Sequence, residues 1–310
     1  MASLANRAAA RVLVGDGGLA TALEARGHDL TGGLWSARLL AEAPSEIADV
    51  HRDFFRAGAD IVITASYQAS FRGFSACGIG RRGAEQLMRR SVSIATAVRD
   101  EFDERFVAAS IGPYGAVLAD GSEYRGRYGL SVRELRAWHR PRFEILATAG
   151  ADILALETIP DIDEAHALVD LATDAGTPAW LTYTTSGTRT RAGQALADAF
   201  SVAADSEAVI AVGVNCCSPE DVLPAIAAAR SCGKPVIVYP NSGEQWDTAA
   251  GAWTGTSTFT PQLARSWIAA GANIVGGCCR VDAASIAQLP AVIAESRGGD
   301  AGRDAEKPLA

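Results

Sequence analysis

The chain is poor in the residues that define several protein classes. Of 310 residues only 6 are Cys, 4 His and 2 Met, and no cluster of Lys or Arg stands out. Five of the cysteines fall late, at Cys216, Cys217, Cys232, Cys278 and Cys279, with Cys77 alone upstream. That is too sparse and too late for a disulfide scaffold. A formal charge of −8 without a basic patch disfavours nucleic acid and anionic membrane surfaces as partners. No run approaches the ~18–20 apolar residues of a membrane-spanning helix. The opening MASLANRAAARVLVGDGG lacks the apolar core and cleavage site of a secretory signal, so a cytoplasmic protein with reduced thiols is expected. No G-x-G-x-x-G follows the first apolar run, which weighs against a dinucleotide-binding fold. With 48% hydrophobic and 21% charged residues, a compact protein acting on small molecules is left.

What the chain does have is a repeated phrase. Eight short runs rich in Val, Ile, Leu and Ala end in Gly, Pro, Asn, Ser or Thr, at 12–17, 60–66, 106–112, 152–158, 179–184, 209–215, 235–240 and 273–277. They read as buried parallel strands. Helical stretches lie between them at 46–57, 84–102, 132–149, 162–175, 192–205, 219–231 and 261–270. Three times a helix leads through Ala-Gly-Ala into a strand, at 57–59, 149–151 and 270–272, where Gly can take the left-handed conformation that stops a helix. The pattern predicts an α/β protein made of a single (β/α)8 TIM barrel over residues 1–295, with a polar, disordered tail at 296–310. Polar insertions at 119–130 and 243–259 are candidate lids among the strand-to-helix loops.

A barrel gathers its strand C-termini around one mouth. Reading those ends gives Asp16-Gly17-Gly18, 64–68, 112–114, Glu157-Thr158, Tyr183-Thr184, Asn215-Cys216-Cys217, Asn241-Ser242 and Cys278-Cys279. Thiols from the sixth and eighth strands offer a three-sulfur site with an open fourth position, which suits catalytic zinc. Neighbouring side chains on a strand face opposite ways, so Cys278 and Cys279 can share an ion only beyond the strand's end, in a turn that Gly276-Gly277 permit. The residues alone leave the choice between Cys216 and Cys217 open. Cys77 and Cys232 read as ordinary buried thiols. Asp16 reads equally as a helix cap or a functional acid. Glu157, a carboxylate closing an apolar strand, needs a cationic partner that a substrate could supply. Thr158, Tyr67 and Tyr183 are balanced between packing and function.

Taken together, DGGLATALEARGHDL (16–30), LWSARLL (34–40), AGADIVITASYQAS (57–70), SIGPYGAVLADGSEYRG (110–126), LALETIP (154–160), VGVNC (212–216), VYPNSGEQWD (238–247) and GGCCR (276–280) resemble the homocysteine S-methyltransferase family, in order along nearly the whole chain. Within it the loops look like the short S-methylmethionine-dependent enzymes more than the betaine-dependent ones. Cobalamin-dependent methionine synthase has a similar domain but needs further domains that this length does not hold.

The resemblance implies a zinc-dependent methyltransferase of methionine biosynthesis. It implies Cys216, Cys278 and Cys279 as zinc ligands and, through Zn2+, as the catalytic groups, with Cys217 an extra thiol. It places Asp16, Gly17, Gly18, Glu157 and Thr158 around homocysteine, Glu157 meeting the ammonium, with Asn215 and Asn241 in the surrounding shell. The chemistry agrees, because a thiolate is the nucleophile and zinc coordination removes the thiol proton. The implied partners are homocysteine and a sulfonium donor, S-methylmethionine or S-adenosylmethionine. Tyr114, Glu123, Tyr124 and Trp246 in the two long loops are candidates to hold the donor's charge. The alternatives are betaine as donor, selenocysteine as acceptor, or a non-catalytic zinc-binding or thiol-binding barrel.

Overall fold

The computed structural model describes residues 3–30, 34–247 and 252–301. Eight parallel strands form the expected barrel: β1 Leu13–Val14, β2 Ile61–Ile63, β3 Phe106–Ile111, β4 Ile153–Ile159, β5 Ala179–Tyr183, β6 Val209–Asn215, β7 Val236–Tyr239 and β8 Ala272–Val275. Each pairs with its sequence neighbour from β2 to β8, and β8 pairs with β1. The seam between β1 and β2 is closed by one bridge, Gly15 to Ile61. Two carboxylates stitch the same seam: Asp60 accepts from Val14 N at 2.9 Å and Asp16 accepts from Ile63 N at 2.7 Å. Asp16 therefore caps no helix. The helix that follows, Leu19–Ala25, has Gly18 at its N-cap and no side-chain cap.

The helices wrap the barrel where the sequence places them, for example Pro44–Arg56, Arg81–Arg99, Val132–Ala147, Ile162–Ala175 and Pro261–Ala270. Their apolar faces join the outward residues of the strands in one large core. Each fully buried Leu, Ile or Phe there contributes ~1.5–3 kcal/mol. The Ala-Gly-Ala phrases work as expected, since Gly58, Gly150 and Gly271 have φ of 97°, 98° and 111°. Inside the barrel a second core contains Leu13, Ile61, Phe106, Ile153, Trp180, Ile237 and Ile274.

Several elements were not foreseen, among them the short helices Trp35–Glu42 and Phe71–Ala76 and an element at each end of the chain. A helix at Leu4–Ala10, capped by Ser3, places Leu4 and Ala8 in the inner core. The last helix, Leu289–Ala301, runs past residue 295, and residues 302–310 lie outside the described part. The two long insertions hold a 3-10 turn, Ser122–Tyr124, and a hairpin of Gln245–Asp247 with Ala252–Thr254. Among the described residues no helix is long and apolar enough to cross a membrane.

Packing between β6 and β7 leaves no room at Gly213, where a Cβ would lie 1.7 Å from Ile237 O. Gly213→Ala is expected to cost stability at the upper end of the ~1–3 kcal/mol of overpacking. Chemical denaturation checks this, and an unchanged midpoint would show that the strands can part.

Candidate active site

The mouth is built from strand ends that leave regular geometry where chemistry is needed. Thr158, at the end of β4, and Cys216, just after β6, are non-glycine residues with left-handed φ of 60° and 49°. Such backbone costs ~1–3 kcal/mol per residue and persists only where neighbours hold it. Asn215 is one holder: its Oδ1 accepts from Thr158 N at 2.7 Å and Thr182 Oγ1 at 2.8 Å, and its Nδ2 donates to Thr158 Oγ1 at 2.7 Å. Around Cys216, Thr184 Oγ1 donates to its carbonyl at 3.0 Å, and its N–H donates to Tyr239 O at 3.2 Å.

The eighth strand ends at Val275, and the chain turns through Gly276 and Gly277. Space, and not φ, demands these glycines: a Cβ on Gly277 would sit 2.2 Å from Val281 Cγ1, and one on Gly276 3.0 Å from Asp16 O. Cys278 N donates to Pro240 O at 2.7 Å and Cys279 N to Asn241 Oδ1 at 3.1 Å, so both thiols turn toward Cys216.

The three sulfurs of Cys216, Cys278 and Cys279 lie within 4.8 Å of one another, and all are free thiols. Cys216 Sγ is 3.8 Å from Cys279 Sγ, and Cys278 Sγ is 4.0 Å from Cys279 Sγ. A tetrahedral ion with Zn–S near 2.3 Å needs sulfurs about 3.8 Å apart, so the set fits zinc. Hydrogen bonds from Cys278 and Cys279 pull the Cys216 thiol well below the ordinary range, against the opposing effect of burial, and Tyr124 and Asn241 add to the pull. Cys217 turns the other way into the core, where burial pushes its thiol up to about 12.

Beside the thiols lies a cleft lined by Asp16, Gly17, Gly18, Thr21, Tyr67, Gln68, Tyr124, Glu157, Thr158 and Tyr239 among others, with no basic side chain among its described walls. Glu157 is 5% exposed and Asp16 2%. Burial raises Glu157 to about 7, although Ser110 and Tyr239 donate hydrogen bonds to it. Burial also holds Asp16 well above the usual carboxylate range, opposed by Ile63 N and reinforced by the charge of Glu157. Two buried carboxylates without a basic partner form a receptor for a cation such as an amino acid's ammonium. Gly17 and Gly18 form the wall as bare backbone, since a Cβ would meet Val281 O at 2.3 Å or Cys278 O at 2.7 Å.

The family profile described as homocysteine S-methyltransferase matches residues 13–293. The chain belongs to the homocysteine S-methyltransferase family. It is 44% identical to homocysteine S-methyltransferase YbgG of Bacillus subtilis (strain 168), over 90% of this chain and 94% of the relative. It is 40% identical to a selenocysteine Se-methyltransferase of Brassica oleracea var. italica, over 87% of this chain and 86% of the relative. The crystal structure of the homocysteine methyltransferase MmuM from Escherichia coli in its metallated form superposes with a TM-score of 0.82 at 41% identity, covering 90% of this chain and 96% of that one.

The structure brings Asp16, Gly17, Gly18, Glu157, Thr158, Cys216, Cys278 and Cys279 to one cleft. Asn215 and Asn241 stand behind it, bracing Thr158 and Cys279. Of the loop residues, Tyr124 reaches the thiols, with its Oη 3.1 Å from Cys216 Sγ and Arg191 over its ring at 5.5 Å. Tyr114 packs instead on Tyr128 and Trp138. Trp246 lies in the hairpin strand Gln245–Asp247, and its side chain is outside the described part. Tyr67 lines the cleft, whereas Tyr183 is core, donating to Ala199 O at 2.7 Å. Cys77, expected buried, is exposed at the end of the short helix Phe71–Ala76, and Cys232 is half-buried.

Ser110 and Tyr239, the partners of Glu157, were missed. Each had a signal, a polar residue on an otherwise apolar strand, and buried polar groups need partners.

Proposed function

We propose that the chain makes methionine by moving a methyl group from a small sulfonium, S-methylmethionine in the first place, to the sulfur of homocysteine. The observation that carries this reading is a three-thiol cluster opening onto a buried acidic cleft with no basic side chain among its described walls. Glu157 and Asp16 take the substrate's ammonium and so orient its thiol toward the cluster. Cys216, Cys278 and Cys279 would hold zinc. Zinc bound there lowers the pKa of a sulfur ligand, so that a thiol is held as thiolate near neutral pH. Asn241 and Asn215 keep the ligand loops in place. Tyr67 and Tyr124 shield the cluster from bulk water. A sulfonium donor departs as a neutral thioether and needs no general acid, which agrees with the lack of His or Lys in the described cleft walls. Three reduced thiols also suit a reducing compartment, the cytoplasm.

The test is a direct assay of zinc-loaded protein with homocysteine and, separately, S-methylmethionine, S-adenosylmethionine and betaine. Methionine is expected with the sulfoniums and fastest with S-methylmethionine. Bound zinc without product from any donor would make the barrel a metal or thiol binder. Selenocysteine as acceptor is the second reading, favoured by the relative from Brassica, and faster turnover with it than with homocysteine would establish it.

A further inference from the structure

Glu157 stands at one end of a hydrogen-bond chain that crosses the barrel interior. Its Oε2 is 3.2 Å from Tyr239 Oη, which is 2.8 Å from Thr182 Oγ1, which is 2.8 Å from Asn215 Oδ1. All four residues are buried, so no bulk water enters the count of protons. The groups around the chain have fixed roles. Asn215 Oδ1 only accepts and already takes Thr158 N; Trp180 Nε1 only donates, to Tyr239 Oη at 3.0 Å; Ser110 Oγ gives its proton to Glu157 Oε1. That leaves three oxygen-to-oxygen contacts and two hydroxyl protons, one from Tyr239 and one from Thr182. With Glu157 ionised, Tyr239 donates to the carboxylate and Thr182 to Asn215, and the Tyr239–Thr182 contact has no proton. With Glu157 protonated on Oε2, every contact is filled and every proton points toward Asn215. Burial brings Glu157 to about 7, so both arrangements are populated near neutral pH.

We infer that Tyr239 and Thr182 are positioning residues that set the charge of Glu157, the Tyr239 hydroxyl facing Thr182 while the site is empty and turning onto the carboxylate when the substrate's ammonium arrives. The empty site then holds no unpaired buried charge, which would be costly. On binding, the Glu157 O–H breaks, its electron pair stays on the carboxylate, and the proton leaves to solvent through the cleft. This rests on Glu157 meeting the ammonium, as proposed above. Asp16, Tyr67, Tyr124 and the three thiols line the same cleft and are left intact by the variants below.

The test uses zinc-loaded full-length protein and two readouts at neutral pH. Infrared difference spectroscopy follows the carboxylic-acid C=O band of Glu157, identified by its loss in Glu157→Gln. The band is expected to strengthen in Tyr239→Phe, which removes the donor to the carboxylate. It is expected to weaken in Thr182→Val, which removes the oxygen that receives the Tyr239 proton, and to return in Thr182→Ser. Calorimetric titration with methionine is expected to show affinity about tenfold weaker in Tyr239→Phe and about threefold tighter in Thr182→Val. A packing role alone would weaken both. Bands that fail to move in opposite senses overturn the chain's role; if Tyr239→Phe does not fold, Thr182→Val decides alone, an unchanged or stronger band overturning it. Methionine affinity that falls in Glu157→Gln but is unmoved in the other variants also overturns it. If the bands move as expected while methionine affinity follows neither them nor Glu157→Gln, the ammonium reading fails and the chain stands.

Discussion

Cys216→Ala is expected to lose the metal and to depress methionine formation well beyond the ~10–100-fold that changes around a metal ligand typically cost. The sulfur lies 3.8 Å from Cys279 Sγ, the other two thiols come from a single turn, and among the described residues no further His, Cys, Asp or Glu joins the group. Cys217→Ala is the matched control. It removes the adjacent thiol, which is buried in the core, and is expected to keep metal content and turnover while losing ~1 kcal/mol of stability. Metal analysis of the two purified variants checks the pair. Retention of metal by Cys216→Ala, or its loss from Cys217→Ala, would reverse the assignment.

The second large effect is at Glu157. Replacing it with Gln keeps the shape and one of the two hydrogen bonds accepted from Ser110 and Tyr239, turns the other into a donor contact, and removes the charge proposed to meet the substrate ammonium. Losing one partner of a buried charge pair costs ~2–5 kcal/mol, so the homocysteine KM should rise about a hundredfold. The direction of the pH dependence follows from burial. In the free protein Glu157 is raised to about 7, so its carboxylate is largely protonated below that value and cannot pair with an ammonium. Methionine, whose sulfur carries no ionisable proton, should therefore bind more tightly as pH rises through about 7. Asp16, raised in the same sense, adds to the trend. Glu157→Gln should flatten most of it, and calorimetric titration of methionine from pH 5.5 to 8.5 reads this directly. Stability moves oppositely. A carboxyl raised from 4.5 to about 7 favours the folded ligand-free state fully below 4.5, and that contribution is lost as pH climbs to about 7. Its size is about 3 kcal/mol.

The barrel was legible because buried parallel strands are near-continuous apolar runs and the Ala-Gly-Ala phrases mark where helices hand over to strands. The cleft residues at Asp16, Glu157, Cys216 and Cys278-Cys279 were legible because a barrel's strand ends must converge. Their supports were harder to see. Ser110 and Tyr239 look like strand residues until Glu157 is placed beside Ser110 on the adjoining strand and opposite Tyr239 across the barrel. The choice of Cys216 over Cys217 depends on a left-handed φ of 49° that no local pattern announces. The role of Asp16 in closing the β1–β2 seam is a contact across 47 positions in sequence. The helix Leu4–Ala10 was overlooked because a seven-residue Ala-rich segment with one arginine has weak periodicity, and only the open barrel end explains Leu4 and Ala8.

The central claim is that the cluster of Cys216, Cys278 and Cys279 presents a metal to the substrate thiol. X-ray absorption at the zinc edge, on protein loaded with one zinc per chain, tests it most directly. The account predicts a zinc shell of three sulfurs that becomes four when homocysteine is added, with no such change on adding homoserine. A shell that homocysteine leaves unaltered would contradict it.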